Sequence, residues 1–134
     1  METMFANLID PGDKALIGYS GHFGTFMVEV ASCHGAEVTE IQGPEDGAID
    51  EEEFIEKLDS DDFAVAATVH PETATGTFQP VQKIAADCQE RDTLLLMDAV
   101  TSLGGWTSAK TTRVWTPVTR APRSASPYRR EGRP

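Results

Sequence analysis

Leu94-Leu95-Leu96-Met97-Asp98-Ala99-Val100-Thr101-Ser102-Leu103-Gly104-Gly105 is an apolar run with one carboxylate set inside it, preceded by the charged pair Arg91 and Asp92 and closed by two glycines. A continuous run of this kind reads as a strand buried on both faces, as strands of parallel sheets are. Ligands of open α/β sheets gather at the carboxyl ends of such strands. An acid there must be paired or must meet a cationic ligand atom, because burying a lone carboxylate is very unfavourable. Asp98 is therefore the first candidate site residue. The competing reading is that Asp98 caps the following turn, as Asp does ahead of Ser, Thr and Gly segments.

Two further apolar runs deliver polar residues in the same way. Phe63-Ala64-Val65-Ala66-Ala67-Thr68-Val69 leads into His70-Pro71-Glu72-Thr73-Ala74-Thr75-Gly76-Thr77-Phe78-Gln79-Pro80, a loop with a helix start near its proline. Ala15-Leu16-Ile17-Gly18-Tyr19 leads into Ser20-Gly21-His22-Phe23-Gly24-Thr25-Phe26-Met27. The spacing of Gly18, Gly21 and Gly24 is not the dinucleotide fingerprint, and no acid closes a second strand as that motif requires.

Periodicity extends these runs into an alternating chain. It predicts a helix over 2–8, a turn at Asp10-Pro11-Gly12-Asp13, then strand 14–19, helix 22–33, strand 36–41, helix 50–59, strand 63–69, helix 79–90 and strand 93–98. Asp50 before Glu51-Glu52-Glu53 is a helix start, with acids where the helix dipole favours them. Strands alternating with helices imply βαβ units, hence an α/β fold of three layers around a mostly parallel sheet.

The motifs after the three strands resemble those of class V aminotransferases, pyridoxal-phosphate (PLP) enzymes of the alanine–glyoxylate and serine–pyruvate type and of fold type I. His70 to Gly76 is similar to that family's His-x-Glu-Ser/Thr-x-Thr-Gly loop, and Asp98 falls on its strand aspartate. The resemblance implies a partial PLP-binding large domain over 1–105. It implies that Asp98 contacts the pyridine nitrogen, Thr73 contacts the cofactor, Phe23 stacks on the ring and Val100 lies beside it. A carboxylate suits that place chemically: its charge-assisted hydrogen bond keeps the ring nitrogen protonated, which an Asn could not do. Stacking of a flat ring on Phe23 is equally sensible, although a Phe ahead of a helix is often plain core. The family also implies amino acid and 2-oxo acid substrates and a homodimer. A cysteine-desulfurase-like PLP enzyme, or a non-catalytic fragment kept for binding or dimerisation, are the alternatives.

Charge divides the chain. Residues 1–105 hold Lys14, Lys57, Lys83 and Arg91 against 21 acids, a net charge of −17. Such a surface repels nucleic acid and anionic membranes, and its poverty in lysine suggests adaptation to high salt. From 106 onward there are seven Lys/Arg and one acid, with Thr, Pro, Ser and Arg in no periodic order. That stretch, 106–134, reads as a non-native, disordered tail. Cys33 and Cys88 fall in separate predicted helices and read as buried, reduced thiols. The three histidines show no metal-ligand spacing with them, so no metal is expected. The amino terminus lacks the basic region of a signal peptide and no stretch is long enough for a bilayer, so a cytoplasmic protein is expected.

Two parts of the family pattern are expected to be missing. The Ser/Gly-rich phosphate-binding turn precedes the helix ending at Leu8, ahead of Met1. The Schiff-base lysine belongs to a Gly-Ser-Gln-Lys stretch well past the aspartate, and counting on reaches Ser124, where no lysine stands; Lys110 is too early and lacks the motif. Rebuilding each codon from the third base of one residue and the first two of the next changes this. Trp115-Thr116 must then give Asp. From Arg113 to Gly132, permitted codons give Gly-Val-Asp-Ala-Cys-Tyr-Ala-Gly-Ser-Gln-Lys-Cys-Leu-Ser-Leu-Pro-Pro-Gly-Gly, with the lysine read across Arg123 and Ser124. A one-base frameshift near Gly104 to Trp106 is therefore expected to be the origin of the tail.

Overall fold

The computed structural model describes residues 1–102. The tail over 106–134, with Lys110 and Ser124, lies outside the described residues. The elements in chain order are α1 (Glu2–Leu8), β1 (Lys14–Tyr19), α2 (His22–Cys33), β2 (Glu37–Gln42), α3 (Glu51–Asp59), β3 (Val65–Val69), β4 (Pro71–Glu72), β5 (Thr77–Phe78), α4 (Gln82–Glu90) and β6 (Leu94–Asp98). The main sheet is parallel throughout, in the order β2-β1-β3-β6.

Alternation along the strands sorts the core into two halves. Ala15, Ile17 and Tyr19 of β1 and Val65, Ala67 and Val69 of β3 join Phe5 of α1 and Met27, Val30 and Ala31 of α2 on one face. Leu16 and Ala66 point the other way, onto Phe54 and Leu58 of α3 and Ile84 and Cys88 of α4. Side chains of period two thus feed two apolar layers, and helices cover both faces of the sheet. This is the three-layer α/β architecture that the sequence predicts.

Several local expectations hold with a stated cause. Asp50 caps α3, its carboxylate accepting from the Glu52 amide at 2.8 Å. Pro11 and Gly12 turn between α1 and β1, closed by the Asp13 amide donating to the Asp10 carbonyl at 3.0 Å. Other expectations need correction. The helix predicted from residue 79 begins at Gln82, because Gln79 is used differently. Its side chain is buried, with Oε1 accepting from the Ile49 amide at 2.8 Å and Nε2 donating to the Pro80 carbonyl at 2.9 Å. It thereby fastens the segment before α3 to the start of α4.

The strand ending at Asp98 is not buried on both faces over its length. Only Leu96 of β6 is buried; the other four residues are half-buried. Among the described residues β6 has a strand neighbour on one side, β3, so half of its surroundings are those of an edge. The loop 70–80 also contains structure that its sequence did not announce, a short antiparallel hairpin of β4 and β5. Gly76 makes that turn possible, with a φ of 76° that other residues adopt at a cost.

Cys33 is exposed, against expectation, while Cys88 is buried. The reason is helix geometry: Cys33 ends α2 beyond its buried stripe of Met27, Val30 and Ala31, whereas Cys88 of α4 faces the sheet. Burial pushes the Cys88 thiol up to about 12. A neutral thiol out of reach of solvent is a poor nucleophile. Iodoacetamide under native conditions is expected to label Cys33 and spare Cys88, with both labelled after denaturation. Equal native labelling rates by peptide mass mapping would refute the packing of α4.

Three of the four bases in 1–105 are held in surface ion pairs: Lys14 with Asp61 at 2.5 Å, Lys83 with Glu52 at 2.6 Å, and Arg91 with both Asp59 and Asp87. Such exposed pairs add little stability singly. Their arrangement matters more for what it leaves over, since the acids far outnumber the bases. No helix among the described residues is long and apolar enough to cross a membrane.

Candidate functional site

The chain leaves β1 through α2 to β2 on one side, then returns through α3 to β3 on the other side of β1. The direction of winding therefore reverses between β1 and β3. In open parallel sheets the crevice at the carboxyl ends of such a strand pair is where ligands sit, because the loops diverge there. The segment following β1 carries Phe23, at the start of α2, and the segment following β3 carries Thr73, in the turn between β4 and β5. β6 lies beside β3 in a register that sets Asp98 against Val69, so Asp98 and Val100 reach the same edge. The structure thus gathers the sequence-predicted residues along one rim, from three adjacent strand ends.

Phe23 is the second residue of α2 and is 41% exposed, so it is not core. Its ring meets His22 edge-on, with centroids 5.5 Å apart. Thr73 is exposed at the start of the β4–β5 turn. Val100 is 85% exposed. Asp98 is half-buried, and its Oδ1 accepts from the Val100 amide at 3.0 Å. The turn-capping reading of Asp98 is therefore correct for that oxygen. It does not compete with a ligand contact, because a carboxylate has a second oxygen and lone pairs to spare. The Asp98 carbonyl also accepts from the His70 amide at 2.9 Å, which ties the ends of β3 and β6 together.

Two further residues of the His70–Gly76 motif, His70 and Glu72, lie beneath the rim. His70 is buried, its Nδ1 is 2.9 Å from the Ser102 hydroxyl, and its ring tilts against Phe78 with centroids 4.5 Å apart. Burial lowers its pKa, which favours the neutral imidazole. Glu72 is 3% exposed and accepts from the Phe23 amide at 3.0 Å through Oε2 and from the Ala74 amide at 3.0 Å through Oε1. A buried acid one residue from a candidate contact is the signal that could have drawn attention to it, but its partners are 49 residues away or hidden in backbone. A cleft of about 440 Å³ borders this rim, lined by Tyr19, Ser20, Gly21, Gln42, Ala74 and Thr75; Phe23, Thr73, Asp98 and Val100 stand outside it.

Comparison with known proteins decides the family. The profile described as Aminotransferase class-V matches residues 1–108. The chain belongs to the class-V aminotransferases. It is 33% identical over 105 residues to the (S)-ureidoglycine–glyoxylate transaminase of Bacillus subtilis, a match spanning 78% of this chain and 25% of that protein. The crystal structure of the alanine–glyoxylate aminotransferase of Nostoc sp. superposes with a TM-score of 0.72 at 43% identity, covering 78% of this chain and 28% of that one. The pyridoxamine–pyruvate aminotransferase of Mesorhizobium loti gives 0.75 at 30% identity, covering 80% and 28%. This class-V chain thus spans about a quarter of the length of the curated relatives it matches.

The class-V cofactor is pyridoxal phosphate. The donor set on the rim fits it: a carboxylate for a protonated ring nitrogen, an exposed aromatic face for a flat ring, and a hydroxyl that can donate or accept.

Proposed function

We propose that the rim formed by the ends of β1, β3 and β6 is the pyridine-ring half of a pyridoxal-phosphate site, serving transfer of an amino group from an alanine- or serine-like donor to a 2-oxo acid such as glyoxylate or pyruvate. The carrying observation is topological: three parallel neighbours, flanking the reversal between β1 and β3, end at Tyr19, Val69 and Asp98, and Phe23 and Thr73 follow the first two ends by four residues. The cofactor supplies an electron sink for the substrate carbanion. Asp98 holds a proton on the ring nitrogen by charge. Phe23 offers one ring face, Thr73 a hydroxyl, and Val100 an apolar flank.

The chain as given is itself proposed to be inactive. No lysine stands near Ser124, where the family's reactive amine falls, and Lys110 lacks its setting. The out-of-frame reading of Arg113–Gly132 supports a tail, 106–134, that is not native to the domain. The −17 charge of the body supports a protein suited to high salt. In the whole protein, a homodimer acting in the cytoplasm is part of the same reading.

Activity assays separate this reading from that of a working enzyme. The purified chain, given alanine or serine with glyoxylate or pyruvate and added cofactor, is expected to give no product above the cofactor-only reaction, since covalent catalysis needs the positioned amine. Turnover abolished by Asp98→Ala would overturn the proposed inactivity. Sequencing of the gene bears on the tail: a second frame without the Gly-Ser-Gln-Lys motif would refute the frameshift.

A further inference from the structure

Among the described residues, Glu72 is a buried carboxylate that bridges the crevice between the ends of β1 and β3. Its Oε2 accepts from the Phe23 amide, on the β1 side, and its Oε1 accepts from the Ala74 amide, on the β3 side, both at 3.0 Å. We infer that Glu72 is a positioning residue, a single anionic tether that sets Phe23 and Thr73 relative to one another. The inference rests on the cofactor reading of those two residues.

Three observations converge on it. First, α2 has no cap of its own. Its N-cap is Gly21, whose lack of a side chain leaves the first-turn amides without a local acceptor, and no acid lies in that turn. Glu72 fills this role from a distant segment, and an anion at a helix amino terminus is favoured there. Second, the space is shaped for it. A Cβ on Gly21 would lie 2.5 Å from Glu72 Cγ and 2.7 Å from its Cδ, so only glycine lets the carboxylate close on α2. Gly21 has an extended φ of −170°, open to any residue, so close approach and not backbone conformation is what calls for glycine. Third, the groups tethered are backbone amides of Phe23 itself and of the residue after Thr73. Fixing them restricts where both side chains start, while leaving the ring and the hydroxyl exposed for a ligand.

A carboxylate is required because it has two acceptor oxygens facing two N–H groups. A Gln has one acceptor, and its NH₂ would face the second donor. In Glu72→Gln, one of the two amides is expected to lose protection in hydrogen exchange by at least about tenfold, and in Glu72→Ala both are, since hydrogen bonds to charged groups are the stronger kind. Gly21→Ala gives the decisive cross-test. Its methyl group enters the space of Glu72 on the β1 side and is expected to free the Ala74 amide on the β3 side. Met27 and Val30 of α2 and Ala66 of β3 are expected to keep wild-type exchange in all three variants.

Pyridoxal phosphate added to the unaltered chain in high salt is expected to shift the amide resonances of Phe23 and Thr73, and to lose this effect in Glu72→Ala. Unchanged Ala74 exchange in Gly21→Ala overturns the tether. Acceleration of the interior amides in every variant also overturns it, because Glu72 would then be a general support of the fold. An undiminished cofactor response in Glu72→Ala overturns the positioning role. No response in the unaltered chain would instead overturn the cofactor reading, with the exchange results standing apart from it.

Discussion

Asp98→Asn, in a chain whose reading frame is shifted after Gly105 and whose amino terminus is extended through the family's phosphate-binding turn, is expected to lower transamination by at least roughly a hundredfold, the scale on which preorganised electrostatic contacts act. The substitution is selective. Asp98 Oδ1 accepts from the Val100 amide, and the amide oxygen of Asn can do the same, so the turn after β6 survives. What disappears is the negative charge, and with it the proposed means of holding a proton on the ring nitrogen. Phe23→Ala in the same protein is expected to weaken cofactor retention more than it slows the bound enzyme, because stacking is mainly a binding contribution. Steady-state rates at saturating cofactor, with retention followed by visible absorbance after gel filtration, check both. An Asn variant with the unmutated rate would remove Asp98 from the site.

Phe54→Ala is expected to cost about 3–5 kcal/mol of folding stability, a large part of the roughly 5–15 kcal/mol that a domain commonly has. Phe54 is fully buried between α3 and the sheet, where it packs with Leu16, Leu58 and Ile84. Deleting its ring opens a cavity in a layer whose remaining members are fixed by the spacing of the parallel strands. The neighbouring Ile55→Ala is expected to have a smaller effect, because Ile55 is only half-buried. Urea denaturation followed by far-ultraviolet circular dichroism measures the difference. Equal midpoints for the Phe54 variant and the parent would contradict the packing of α3 on β1.

Most of the element order could be read from the chain because each element carries its own local instruction. The continuous apolar runs of β1 and β3 and the Asp50 cap with its acidic first turn act within a few residues. Asp98 is a candidate because it closes an apolar strand run, and Thr73 and Phe23 are candidates because the loops after two further runs resemble family motifs, patterns visible in one dimension. Sequence and structure part where a residue's environment comes from elsewhere in the chain. Gln79 resembles a helix start, yet its side chain is claimed by Ile49 across 30 residues. Cys33 resembles a core thiol, yet the last turn of α2 has rotated it away from the sheet.

The sequence by itself determined the α/β class and the family, and it nominated the residues proposed to face a pyridoxal ring, since apolar runs and compact loop motifs are encoded locally. Only the tertiary structure decided the strand order, and with it the reversal between β1 and β3 that places those loops together. It also decided the half-buried state of β6 and the partners of Glu72. Strand order and long-range hydrogen bonds depend on which surfaces meet once the sheet closes, and residues 49 apart in the chain, such as Phe23 and Glu72, carry no local mark of one another.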